Sequence, residues 1–252
     1  MSRAAQMKAT TREPAPRRAG HERRDDTYFA LSGTMIDRAL SLRGQIYTLV
    51  RRLIITGALK AGEPINEIAI ADRLGVSRTP VREAVKRLSD EGLVEVFAQS
   101  GTFVAQIGRE AIEEAFVIRS ALEVESVTRA AKRMNDVHAR NLRSIIQRHE
   151  DLLAEERFID AIESDDAFHR YIADINQLHM LWRTVDICKA QIDRGRLLVL
   201  PKPGQGKLTL NQHKAILAAL EKHDSRKAAR AMRDHLDATL ENILKHTILE
   251  PA

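Results

Sequence analysis

Apolar residues recur at two different periods in this chain, and the strand-like period is confined to one short stretch. From 42 to 92 they keep helix-face spacing: Leu42, Ile46, Leu49, Val50, Leu53 and Ile54, then Ile68, Ile70, Ala71 and Leu74, then Val81, Ala84, Val85 and Leu88. "LVEVF" (93–97) and "TFVAQ" (102–106) then read as short strands, and "AQSG" (98–101) joins them by a tight turn. Beyond residue 110 no strand-like run occurs. Helical patterns run through roughly 111–134, 136–156, 158–176, 179–199, 207–222 and 224–247. Breaks fall at Asn135, near Arg157, at Asn176, at "PKPGQG" (201–206) and near Asp224.

The fold expected is mainly α. Three helices plus a β-hairpin make an N-terminal winged helix-turn-helix, and about six further helices with short connections make an all-helical antiparallel bundle. The boundaries expected are a basic tail over 1–35, a winged domain over 36–107 and a helical domain over 108–250. Residues 1–27 hold seven Lys/Arg, Pro14 and Pro16 with hardly any large apolar residue, too little to fold on their own.

Composition narrows the function classes. Aromatics make up 4 % of the 252 residues, as suits helices packed by aliphatic side chains. The single cysteine, Cys188, excludes a disulfide within the chain and fits a reducing cytoplasm. No apolar run approaches the ~20 residues of a membrane span, and the charged N-terminus lacks the apolar core of a signal peptide. Residues 1–108 carry 17 Lys/Arg against 12 Asp/Glu, whereas residues 109–252 carry 23 of each. The whole formal excess of +5 therefore lies in the first part of the chain, where a polyanion would meet it.

The third helix, "VSRTPVREAVKRLSDEGLV" (76–94), has two faces. With Arg78 at zero on a wheel of about 100° per residue, Arg82 falls near 40°, Lys86 near 80° and Thr79 near 100°. The apolar stripe lies at about 240–340° on the same wheel. One face packs inward and the other presents cations and hydroxyls. An Arg can bond both acceptors of a guanine edge, while Lys, Ser and Thr can satisfy phosphates. The plain alternative is an amphipathic helix with a basic surface. The short preceding helix, the Gly75 turn and the following wing argue against it.

Residues 67–104, "EIAIADRLGVSRTPVREAVKRLSDEGLVEVFAQSGTFV", resemble the GntR family of bacterial transcription regulators, most closely in "LGVSRTPVREA". The resemblance implies DNA contacts by Ser77, Arg78, Thr79 and Arg82 and a wing tip at Gly101, to which the helical wheel adds Lys86. Where some members carry an Arg in the preceding helix, this chain has Ile68, so that contact is not carried over. The second half is similar to the helical ligand-binding FCD domain of FadR-type members, and more like the six-helix VanR-type branch. "IRSALEVESVTRAA" (118–131), "DDAFHRYI" (165–172), "NQHKAIL" (211–217) and "MRDHL" (232–236) carry that likeness.

Asp165 and His169 stand one helical turn apart. His213 and His235 lie 11 residues before and after the turn at Asp224, at about the same height on two antiparallel helices. One carboxylate and three imidazoles suit a divalent metal: Zn, or Ni, Mn or Fe. The plain alternative is an i, i+4 ion pair. Asp166 is a rival carboxylate, and the resemblance favours Asp165. Arg119 falls on the apolar stripe of Ile112, Ala115, Phe116, Leu122 and Val127, where a cation needs a partner. Glu123 one turn on could supply it, or Arg119 could grip the carboxylate of an effector whose other end meets the metal. Arg194 and Arg196, beside Gly195, are further pocket candidates.

The expected function is a cytoplasmic homodimeric regulator, not an enzyme, that binds double-stranded operator DNA as a repressor under the control of a small carboxylate effector. The competing readings are a metalloenzyme built on the Asp/His3 site and a DNA-binding protein without a ligand.

Overall fold

A computed structural model describes Tyr28 and residues 31–246. A 3-10 turn, Gly33–Met35, leads into α1 (Leu42–Ile55), α2 (Glu67–Leu74) and α3 (Arg78–Asp90). Asn66 starts α2 by accepting from the amides of Ile68 and Ala69, and Gly75 ends it with φ +63°. Strands β1 (Val94–Phe97) and β2 (Gly101–Val104) form an antiparallel hairpin in which Val94 faces Val104 and Phe97 faces Gly101. The free edge of β2 is covered: Gly62 N donates to Val104 O and Ile65 N to Thr102 O. Ile46, Val50, Ile54, Ile70, Leu74, Val81, Val85 and Leu88 close the core of this winged domain.

Most of the tail expected over 1–35 lies outside the described residues. Its described part is not free. Tyr28 and Leu31 are buried in the winged domain's core, and the Tyr28 hydroxyl accepts from Asn66 N.

Among the described residues the second half contains only helices: α4 (Arg109–Arg133), α5 (Asp136–Ala154), α6 (Phe158–Ile175), α7 (His179–Cys188), α8 (Ala190–Val199), α9 (Gln205–Glu221) and α10 (Ser225–His246). The long α4 packs on α6, α7, α8, α9 and α10. Phe116, Val127, Leu142, Phe168, Leu220, Met232 and Leu236 fill the centre. The one helix expected over 179–199 is two. The ladder is interrupted at Lys189, whose φ of −72° and ψ of −8° turn the chain into α8. Trp182 is a packing residue, buried with Ala173 and Val185. No helix of the described residues is long and apolar enough to cross a membrane.

Candidate functional site

Two places on the molecule concentrate chemistry. The first is the solvent face of α3. Ser77, Arg78, Thr79, Arg82 and Lys86 are exposed, while Val81, Ala84, Val85 and Leu88 are buried beneath them. Ser77 occupies the N-cap position but makes no side-chain capping bond, which leaves its hydroxyl at the surface. Arg82 Nε donates to Glu67 Oε2 of α2 at 3.2 Å. Both partners of that bond reach solvent, so it adds little stability and yields readily to other acceptors. Gly101 is exposed at the wing tip with φ +115°, a conformation that side-chain-bearing residues rarely adopt. All six residues predicted to meet DNA are thus on the surface.

The second place is inside the bundle. Asp165 and His169 of α6, His213 of α9 and His235 of α10 are all buried, and one ligand atom of each lies within 4.8 Å of the others. His213 Nε2 is 3.3 Å from Asp165 Oδ1, and His169 Nε2 is 3.7 Å from Asp165 Oδ2. Groups beyond this set hold the imidazoles in orientation. Glu123 contacts His169 Nδ1, and Gln212 Oε1 is 2.9 Å from His235 Nδ1. That arrangement turns Nε2 of both rings inward, as ligating histidines are usually held.

Among the described residues, neither Asp165 oxygen, nor His169 Nε2, nor either His213 nitrogen has a hydrogen-bond partner. Buried polar atoms left without partners are costly. This donor set fits a divalent cation, with two imidazoles oriented by neighbours and a carboxylate kept ionised. Burial alone would raise the Asp165 carboxyl. Arg196 and the nearby imidazoles instead hold it well below its ordinary value. Burial pushes His213 well down, and it lowers His235 to about 3, aided by the neighbouring His169. Neutral imidazoles at His213 and His235 and an ionised carboxylate at Asp165 are the protonation states that metal binding requires. Asp166, the rival carboxylate, points elsewhere: its Oδ2 is 2.6 Å from Lys189 Nζ.

Arg119 has the ion-pair partner expected for it. Its Nε donates to Glu123, in contact with His169, while its Nη2 has no hydrogen-bond partner among the described residues. Together with Asp165, Arg196 and His235 it lines a small cavity of about 30 Å³. A cation and two of the four cluster residues, Asp165 and His235, therefore open on the same space.

One pocket candidate of the sequence finds its partner here, and one group escaped the sequence reading. Arg196 places Nη2 2.7 Å from Asp165 Oδ2, without the alignment of a hydrogen bond. His149 of α5 is buried with its ring centroid 5.6 Å from that of His213, and neither of its nitrogens has a partner among the described residues. Its signal in the sequence was its place on the stripe of Leu142, Ile146 and Leu152.

Helix α8 touches both halves of the molecule. Ala190 is part of the winged domain's core. Gln191 Nε2 donates to Gly92 O at 2.7 Å, and Arg194 Nη1 donates to Ala105 O at 2.9 Å. On its other side, Arg196 reaches Asp165. Lys189 just before it is almost fully buried between Asp166 and Asp193.

Comparison with known proteins bears on both halves of the chain. The family model described as "Bacterial regulatory proteins, gntR family" matches residues 42–104, and that of the FCD domain matches residues 114–238. The HTH-type transcriptional repressor RspR of Escherichia coli (strain K12) is 30 % identical over 210 residues, which cover 83 % of this chain and 92 % of that protein. An uncharacterized HTH-type transcriptional regulator in an unstable DNA locus of Streptomyces ambofaciens is 33 % identical over 203 residues, 80 % of this chain and 84 % of that one. The solved structure of E. coli McbR/YncC shares the fold, with a TM-score of 0.72 at 20 % identity over 82 % of this chain and 98 % of that one. These relatives are named as transcriptional regulators rather than as enzymes. The chain belongs to the GntR family of bacterial regulatory proteins and is a DNA-binding transcriptional regulator whose second half is an FCD domain.

Proposed function

We propose that this regulator is a cytoplasmic repressor. It acts as a homodimer whose two winged domains read a near-palindromic operator, and a small organic acid bound beside a divalent metal in the bundle releases it. The observation that carries this reading is the convergence of Asp165, His169, His213 and His235 on one buried point next to the unbonded Nη2 of Arg119. A metal held there would supply a Lewis-acidic anchor for the other end of the acid. Arg119 would grip the acid's carboxylate, while Glu123 and Gln212 orient the imidazoles. RspR is named as a transcriptional repressor, which supports the sign of regulation.

The test is elemental analysis of the purified protein, followed by a thermal-shift screen of organic and sugar acids. Any acid that binds is then added to the protein–operator complex. A stoichiometric transition metal, a metal-dependent rise in melting temperature and loss of operator binding are expected. Protein that carries no metal and takes up none when supplied would overturn the reading. Turnover of a screened acid by metal-loaded protein would favour the metalloenzyme instead.

A further inference from the structure

A second, larger cavity lies between the two domains. It has a volume of about 670 Å³. One wall is the end of α1 and the turn after it, and the other is the α5–α6 turn with the end of α8. Ile55, Leu59, Ile107, Phe158, Leu197 and Leu198 give it an apolar lining.

Four cations, Arg52, Lys60, Arg157 and Arg194, line it with only two acids, Glu156 and Asp160. Arg157 is already held by Asp160 at 2.7 Å and by Glu155 at 3.2 Å. The other three form no ion pair among the described residues.

Arg194 is the informative one. It is only 5 % exposed, and the partners of its Nη1 are the neutral Ala105 O and Gln191 Oε1. A guanidinium buried without a counter-charge is costly. Burial lowers Arg194 to about 10, with no charged neighbour to offset it. Its neighbours along the chain differ: Lys189 and Arg196 each face at least two carboxylates. The charge missing beside Arg194 is an anion.

We propose that this inter-domain cleft is a binding site for an organic anion with an apolar body, a medium-chain carboxylate. The carboxylate group sits on Arg194 with Arg52 and Lys60 near by, and the chain lies along Ile55, Phe158, Leu197 and Leu198. The site is separate from the cavity beside the Asp/His3 cluster, whose volume of about 30 Å³ cannot hold such a chain. It does not depend on the metal or effector reading. Because Arg194 also holds Ala105 O at the base of the wing, an anion there bears directly on the domain junction.

The probe is decanoate, titrated calorimetrically into the full-length protein, with decanamide as its neutral counterpart. Decanoate should bind once per chain, and decanamide should bind at least about tenfold more weakly. Arg194→Met and Leu198→Glu should each weaken decanoate by at least about tenfold, the first by removing the cation and the second by placing a like charge on the wall. Leu198 is 52 % exposed, so its substitution leaves the fold intact even if Arg194→Met disturbs the junction. Stripping metal with EDTA should leave the affinity unchanged. No binding of decanoate, equal binding of decanamide, undiminished binding by Leu198→Glu or loss of binding on chelation would each overturn the proposal.

Discussion

Arg196 and Asp165 face each other inside the bundle, with guanidinium Nη2 and carboxylate Oδ2 2.7 Å apart and both side chains at least nine-tenths buried. One carboxylate thus stands between a helix that touches the winged domain and the two imidazoles nearest to it. Asp165→Asn should remove the proposed metal and leave Arg196 with its weaker contacts to Asp193 and Asp166 at 3.5 and 3.7 Å. A loss of stability of about 3–5 kcal/mol is expected, as when a buried pair loses one partner. Urea unfolding and elemental analysis of the variant check both effects.

On the DNA face, Arg82→Ala should lower the preference for operator over random duplex by about 1–3 kcal/mol while the far-UV spectrum stays unchanged. Lys86→Ala should weaken both duplexes alike and reduce the salt slope by about one. Fluorescence anisotropy across a salt series separates the two roles. An Arg82→Ala protein with undiminished sequence preference would remove that residue from the reading surface.

Acid should destabilise the metal-free protein, beginning near the ordinary histidine range. Burial, and then the neighbouring His169, keep folded His235 neutral down to about 3, against an ordinary value of 6.5. Below 6.5 the unfolded chain takes up a proton that the folded chain refuses, so stability falls with pH across that window. Burial would raise Glu123, but Arg119 and His169 hold it at about 2 against an ordinary 4.5. Its contribution has the same sign and is lost between those values. Each group adds a slope of up to about 1.4 kcal/mol per pH unit, measurable by urea unfolding of EDTA-treated protein at several pH values.

Gly195 permits close packing of α8 on α10. A Cβ added there would lie 2.6 Å from Ile243 Cγ2, a branched methyl with little freedom to move. Gly195→Ala should therefore cost about 1–3 kcal/mol through overpacking. Adding Ile243→Ala, which removes the obstructing methyl, should restore part of that loss relative to Ile243→Ala alone. Melting temperatures of the wild type, the two single variants and the double variant decide it.

The winged domain was legible because each of its elements carries its own local signal: a cap at Asn66, a left-handed glycine at Gly75 and an apolar stripe on α3. The four-residue cluster was legible for a different reason. Helical spacing fixes Asp165 against His169, and the short turn at Asp224 fixes the heights of His213 and His235, whose rings lie 4.9 Å apart. Exact helix ends were harder to read. Glu156, Gln177 and His223 turn the chain at positive φ where glycine would have announced it. The break at Lys189 was hidden because its partner Asp166 comes from another helix. The pairing of Arg196 was hidden for the same reason: the sequence offered it only as a pocket candidate beside Gly195, and its carboxylate lies 31 positions away.

Ala190 belongs to the bundle by its place in the chain and to the winged domain by its packing. With Gln191 and Arg194 it attaches the start of α8 to the other half, while Gly195 presses the same helix against α10. Melting one half therefore strips a helix from the other. The chain should unfold in a single cooperative transition, with matching calorimetric and van't Hoff enthalpies, rather than domain by domain.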